Sequence, residues 1–129
     1  MKVSELSGAL LDYWVGCANN GKGFIGRIAE YTDGKRHCVV PDGVRGESGW
    51  TGSRIYAPSS DWAIGGHFIE RQGIYILNYF AHPKPDTELV WTAEIRGSES
   101  YAGPTPLVAA MRAFVGSKFG EEVPDEVPA

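Results

Sequence analysis

The residues best suited to chemistry lie between positions 58 and 73. The segment Pro58-Ser59-Ser60-Asp61-Trp62-Ala63-Ile64-Gly65-Gly66-His67-Phe68-Ile69-Glu70-Arg71-Gln72-Gly73 gathers two carboxylates, an imidazole, a guanidinium and an indole. Asp61, His67 and Glu70 offer three ligand types, and a His-Glu pair three apart on a helix can share a metal ion. One such pair is too little to define a metal site, and His37 and His82 have no recognisable partner in sequence, so no metal is expected. The same residues also suit recognition. Asp61, Trp62, Gly65, Gly66, Glu70 and Arg71, with Trp50 and Arg54 from the Gly-rich stretch before them, would line a binding surface anchored by aromatic and Arg side chains. If the segment is only a connector, Trp62, Phe68 and Ile69 fill the core instead.

Residues 16–23 read Gly-Cys-Ala-Asn-Asn-Gly-Lys-Gly, one residue short of a phosphate-binding loop. The hydroxyl that would hold magnesium is replaced by Gly23, and the run closes a helix instead of opening one, so a Gly-rich turn is expected. Neither a G-x-S-x-G elbow nor an H-E-x-x-H helix occurs, which leaves no catalytic residue and no cofactor to assign. Cys17 and Cys38 form no C-x-x-C pair and read as two reduced, partly buried thiols.

These residues must be positioned by regular elements, and the chain marks several of them. Leu6, Leu10, Tyr13, Trp14 and Cys17 share one helical face, which predicts a helix over 4–18 capped by Ser4 and stopped by Asn19-Asn20-Gly21. Phe24–Tyr31 and Arg36–Val40 flank Thr32-Asp33-Gly34-Lys35, a hairpin signal, with Pro41 ending the second strand. The glycines of 41–53 predict a loop. In the central segment Ser59 or Ser60 can cap a helix, Asp61 favours its start and Gly73 closes it. Gly65-Gly66 is costly there, by about 1 kcal/mol per residue relative to Ala, so either backbone packs closely against it or the helix bends.

Ile74 to Leu77 are apolar on both faces and predict a central strand, and Leu89, Trp91, Ala93 and Ile95 alternate with polar neighbours as a half-buried strand does. Ala81–Thr87, with Pro83 and Pro85, would connect the two. Thr105, Pro106 and Gly120 bracket a last helix with Leu107, Ala110, Met111, Phe114 and Lys118 on one face, widened by Val108, Val115 and Phe119. The expected fold is α+β: a single domain over 1–120, with a mainly antiparallel sheet of about four strands packed by N-terminal and C-terminal helices, and an acidic flexible tail over 121–129.

Composition narrows the function classes. Twelve basic residues face 16 acidic ones, and four of the acids stand in the last nine positions, so the body is neutral and lacks the basic stripe that duplex DNA demands. No apolar run approaches the roughly 20 residues of a bilayer span, and no secretory signal opens the chain, so a cytoplasmic protein without a membrane partner is expected.

The central segment, the opening Ser-Glu-Leu-Ser-Gly-Ala-Leu-Leu-Asp-Tyr-Trp-Val (4–15) and Gly-Pro-Thr-Pro-Leu-Val-Ala-Ala-Met-Arg-Ala-Phe-Val-Gly-Ser-Lys-Phe-Gly-Glu-Glu-Val (103–123) together resemble the NinX-like family of bacteriophage and prophage proteins. Residues 22–57 carry little of the likeness, and His67 departs from it where Pro is more usual. The resemblance implies a phage or prophage accessory protein of the bacterial cytoplasm, in a family of unknown function that lends no catalytic residue. The residues themselves favour a non-enzymatic module binding an unidentified host or phage protein. The alternative is a small-ligand or enzymatic pocket centred on 61–71.

Overall fold

The computed structural model describes residues 1–80 and 89–125. His82, the expected 81–87 connection and residues 126–129 of the expected tail lie outside that range. Thr105 is extended and its hydroxyl accepts the Val108 N–H at 3.1 Å, so α3 (Pro106–Phe119) begins where the Thr-Pro pair predicts and stops at Gly120. Leu107, Ala110, Met111 and Phe114 are buried on it as expected. Ala109, Ala113 and Val115 are buried too, whereas Lys118 and Phe119 emerge at its exposed end.

The first helix, α1 (Gly8–Asn20), starts later than the apolar spacing suggests. A short 3-10 turn over Val3–Glu5 carries Leu6 into the core before Ser7, not Ser4, takes the cap position. The central segment forms one continuous helix, α2 (Trp62–Gln72), and its cap is Asp61 instead of either serine: the carboxylate accepts the Ala63 N–H at 3.0 Å. Gly73 closes α2 in the left-handed region (φ 61°), and the Ile74 N–H reaches back to the Ile69 carbonyl at 3.1 Å. Phe68 is buried and stacks on Phe114, with ring centroids 5.3 Å apart. Trp62 is not a core residue, being 56% exposed.

Among the described residues six strands form two antiparallel sheets of three, not one sheet of about four. In the first sheet β1 (Arg27–Glu30) and β2 (Arg36–Gly46) pair across the Asp-Gly turn as expected, Arg27 opposite Val39. The expected 41–53 loop is instead the distal part of a second hairpin, β2 with β3 (Gly49–Ile55). Pro41 does not end β2. The Tyr56 N–H bonds the Cys38 carbonyl at 2.8 Å, which makes 41/53 a pair without ladder bonds. The nitrogen of Pro41 therefore faces the side that β1 has already left, and its missing N–H costs nothing there. Between Asp42 and Arg45 the register shifts at Gly43 (φ 88°), where the Val44 N–H turns to the Thr51 hydroxyl at 2.9 Å.

The second sheet runs β4 (Tyr75–Phe80), β5 (Leu89–Glu94), β6 (Tyr101–Gly103). The strand expected to be central, β4, is an edge, with Tyr75 and Leu77 exposed, and the alternating strand β5 takes the centre. This sheet lies on α3, while α1 and α2 pack elsewhere on the same helix and α1 also contacts β1 and β2. No helix among the described residues is long and apolar enough to cross a membrane.

The start of the expected tail is held in place. Glu121 accepts the Val3 N–H at 2.8 Å, Val123 exchanges main-chain bonds with Met1, and the Val123 side chain is buried in the core. A chain ending at Gly120 should therefore lose about 2–4 kcal/mol of stability, from one buried Val and its main-chain bonds, whereas a chain ending at Asp125 should match the full one in urea unfolding. Equal midpoints for all three chains would contradict the clasp.

The paired glycines of α2 separate the two explanations of their cost. A Cβ on Gly65 would stand 2.3 Å from the Pro58 carbonyl oxygen and 2.6 Å from Leu107 Cδ2, while one on Gly66 would meet only Trp62 Cε3 at 3.7 Å. Gly65→Ala is expected to destabilise by about 1–3 kcal/mol and Gly66→Ala to stabilise by up to about 1 kcal/mol. Thermal melts that move in the same direction for both would refute the close-packing account.

Candidate functional site

Three helices begin at one place. The first turns of α1 (Gly8, Ala9), α2 (Ser60 and Trp62 flanking its cap) and α3 (Thr105 to Val108) line a single pocket of about 480 Å³. Each helix start presents unpaired N–H groups and the positive end of its dipole, worth roughly half an elementary charge. Asp61 and Thr105 each satisfy one amide of their own helix, but Ser7 gives α1 no side-chain cap, and its first main-chain bond is Leu11 N–H to the Ser7 carbonyl at 3.3 Å. Lys35, Arg36 and His37, at the start of β2, close the remaining side. The His37 ring lies against Tyr31, and its Nε2 is 3.1 Å from Asp33 Oδ2. This is the partner that spacing alone had not revealed. The Lys35 N–H and His37 hold the Asp33 carboxyl below the usual carboxylate range.

The inner wall holds one ionisable group that the fold pays to keep. Asp12 is 5% exposed and accepts the Ser59 N–H at 2.8 Å. Burial pushes its pKa up from 3.8 to about 6, against the opposing pull of the Ser59 hydrogen bonds and of His37. An acid whose burial costs stability, set in a cleft among helix N-termini, marks a functional region better than any exposed charge does. By contrast the thiols are neutral: burial, with Asp12 and Cys17 nearby, raises Cys38 to about 12, and burial also raises Cys17. Both cysteines are free.

The residues proposed from sequence are divided among several places. Trp62 lines the three-helix pocket, with Asp61 beside it as the cap of α2. Gly65 is used to bring α2 against Pro58 and Leu107, and Gly66 lies under the Trp62 ring. Glu70 and Arg71 are exposed at the other end of the helix, roughly 13 Å along its axis from Trp62. Trp50 and Arg54 sit on β3, where Arg54 faces Asp42 at 3.9 Å and Trp50 lines a separate hollow of about 200 Å³. No three His, Cys, Asp or Glu residues among the described ones group to hold a metal.

Gly8, Ala9, Asp12, Lys35 to His37, Ser59 and Thr105 to Val108 carry no motif that marks them as one site. A signal for Asp12 was present, because an acid inside Leu-Leu-Asp-Tyr-Trp-Val sits in the most apolar part of a helix. The convergence of the three helix starts is a tertiary fact with no sequence signature.

The stretches 4–15, 58–73 and 103–123 each send the start of one helix to this pocket. The sequence profile of the family described as Bacteriophage P22, NinX matches residues 2–118. The chain belongs to that family. No curated protein matches it. Within the NinX-family chain the match therefore covers α1, α2, both sheets and all but the last residue of α3, including the hairpin of 36–55 that had carried little of the resemblance.

The sign of the Asp12 shift gives a stability test. Because its folded pKa (about 6) exceeds the unfolded value of 3.8, the folded protein retains a proton that the unfolded chain releases between those two values. Stability from this group is thus full below about pH 4 and falls as pH rises towards 6. Asp12→Asn keeps an oxygen for the Ser59 N–H and removes the titration. It should be more stable than the parent by about 1–3 kcal/mol at pH 7 and no more stable at pH 4. Urea unfolding of both proteins from pH 4 to 8 checks this, and a stability difference that is constant with pH would exclude the assigned burial cost.

Proposed function

We propose that this NinX-family protein is a non-enzymatic phage accessory module of the bacterial cytoplasm that binds a host or phage protein by taking an acidic segment of it into the three-helix pocket. The observation that carries this reading is the convergence of three helix N-termini and of Lys35, Arg36 and His37 on one cavity. Carboxylates gain from main-chain N–H groups and helix dipoles at such a place, and Lys35 and Arg36 on the rim strengthen the field against Asp12 on the inner wall. The half-exposed Trp62 indole on the same rim offers a flat apolar anchor of the kind that dominates interface energetics. The neutral body of residues 1–120 favours a protein partner over duplex DNA.

Recognition is favoured over catalysis by the order of the polar groups. Asp12 accepts the Ser59 main-chain N–H and the His37 ring pairs with Asp33, so among the described residues no hydroxyl–imidazole bond of the kind that activates a nucleophile is formed. A second reading, a free small anion, draws on the cavity size: about 480 Å³ lies within the range of small-molecule sites. It meets the alternative centred on 61–71 only at Trp62.

A short Glu-rich peptide carrying one Tyr should bind saturably, with a change in Trp62 fluorescence, and a Lys-rich peptide of equal length should not. Lys35→Glu with Arg36→Glu, both exposed, should leave the melting temperature nearly unchanged and weaken binding at least tenfold, about 1.4 kcal/mol. Glu70→Ala with Arg71→Ala should leave the affinity as it was. Displacement of the peptide by millimolar inorganic phosphate would favour the small-anion reading, and absence of binding or indifference to the charge reversal would defeat both.

A further inference from the structure

A second cleft, of about 850 Å³, opens on another face of α1 from the pocket described above. Its walls are Tyr13, Trp14, Phe24 and Phe119, with Cys17 and Ile25 beside them. The four aromatic rings form a chain of edge-to-face contacts: Tyr13 to Phe24 at 5.5 Å, Tyr13 to Trp14 at 5.3 Å and Trp14 to Phe119 at 5.6 Å. Such contacts fix the rings in place, so the walls are formed before anything binds. Phe119 is 43% and Ile25 60% exposed, which leaves apolar surface in water around the opening. Lys22 and Arg27 also line the cleft, no Asp or Glu does, and neither cation has a carboxylate partner among the described residues.

One donor on a residue of this wall is unmatched. Trp14 is 7% exposed and its Nε1–H is buried with no hydrogen-bond partner, the only side-chain polar atom in that position among the described residues. A wall of fixed rings with a purely cationic edge is the complement of one kind of molecule.

We infer that this cleft binds an amphipathic anion, a compound with an apolar body and a single carboxylate, sulfonate or phosphate group. The apolar body covers Phe24, Ile25 and Phe119 and removes their surface from water. Its negative group pairs with Lys22 and Arg27. An uncharged body would gain only the first of these, and a cation would meet Lys22 and Arg27. The inference rests on different residues from the acidic-segment pocket, and either can fail without the other.

The test compares two dyes that share an aromatic body. 8-Anilinonaphthalene-1-sulfonate carries the anion and N-phenyl-1-naphthylamine lacks it. The sulfonate is expected to bind at least fivefold more tightly, and Lys22→Gln with Arg27→Gln should bring it down to the affinity of the uncharged dye. In ¹H–¹⁵N spectra the Trp14 indole cross-peak should shift more than those of Trp50, Trp62 and Trp91. Displacement by dodecanoate would identify an acyl anion as the natural class and displacement by naphthalene-1-sulfonate alone an aryl one. Equal affinity for the two dyes, dye binding that leaves the Trp14 indole resonance unmoved, or no saturable binding of either dye by the folded protein overturns the proposal.

Discussion

The close approach of α3 to the β4–β6 sheet is the constraint on which the rest of the structure depends. Where they meet, a Cβ on Gly103 would stand 2.6 Å from the Ala109 nitrogen, and one on Gly116 would stand 2.4 Å from the Tyr101 ring. Ala109, Ala110 and Ala113 continue the row of small residues, so the helix backbone lies almost on the sheet. Arg112 then ties the helix to both neighbours, donating from Nε to the Leu6 carbonyl at 2.8 Å and from Nη1 to the Ala102 carbonyl at 2.7 Å. The rest of its surface is left to the larger side chains: Phe114 receives Phe68 from α2, and α1 packs alongside. An interior this dense does not absorb added volume, which is why small residues stand where elements cross.

That arrangement has an electrostatic consequence. With α3 as the common partner, the starts of α1 and α2 are brought to the same end of the molecule as its own, and three positive dipole ends share one pocket. A fold under pressure for stability alone would cap each of them and leave an apolar residue at position 12. Here α1 has no side-chain cap and Asp12 is buried at a cost that burial itself sets. Departures of this kind from local consistency are the places where function is expected to outweigh stability.

The elements readable in sequence were those whose local chemistry is self-contained. The Thr-Pro start of α3, the Asp-Gly turn before β2, the Asp61–Gly73 bracket of α2 and the alternation of Trp91, Ala93 and Ile95 each state their conformation within a few residues. The β2–β3 hairpin was not readable, because its outer half is exposed on both faces and so has no apolar alternation, and because Pro41 is harmless only where β1 has already ended. The edge position of β4 was hidden for the converse reason: Tyr75 and Leu77 are apolar and yet face solvent. Of the proposed site only Trp62 and its cap Asp61 reach the pocket region, since Lys35 and Thr105 come from parts of the chain that nothing local connects to them.

The helix α1 shows how one element serves two sites and the core together. At about 100° per residue, Gly8, Ala9 and Asp12 occupy one stripe, Tyr13, Trp14, Cys17 and Gly21 a second, and Leu11 and Val15 a third. The first stripe lines the three-helix pocket, the second lines the aromatic cleft, and the third is fully buried. A helix with apolar residues on two of its three stripes would ordinarily be buried on both. Here the second stripe is covered in part by Phe24 and Phe119, which are themselves partly open to water. The two sites thus share one wall without sharing a residue: each is lined by its own stripe, and the third holds the helix to the core.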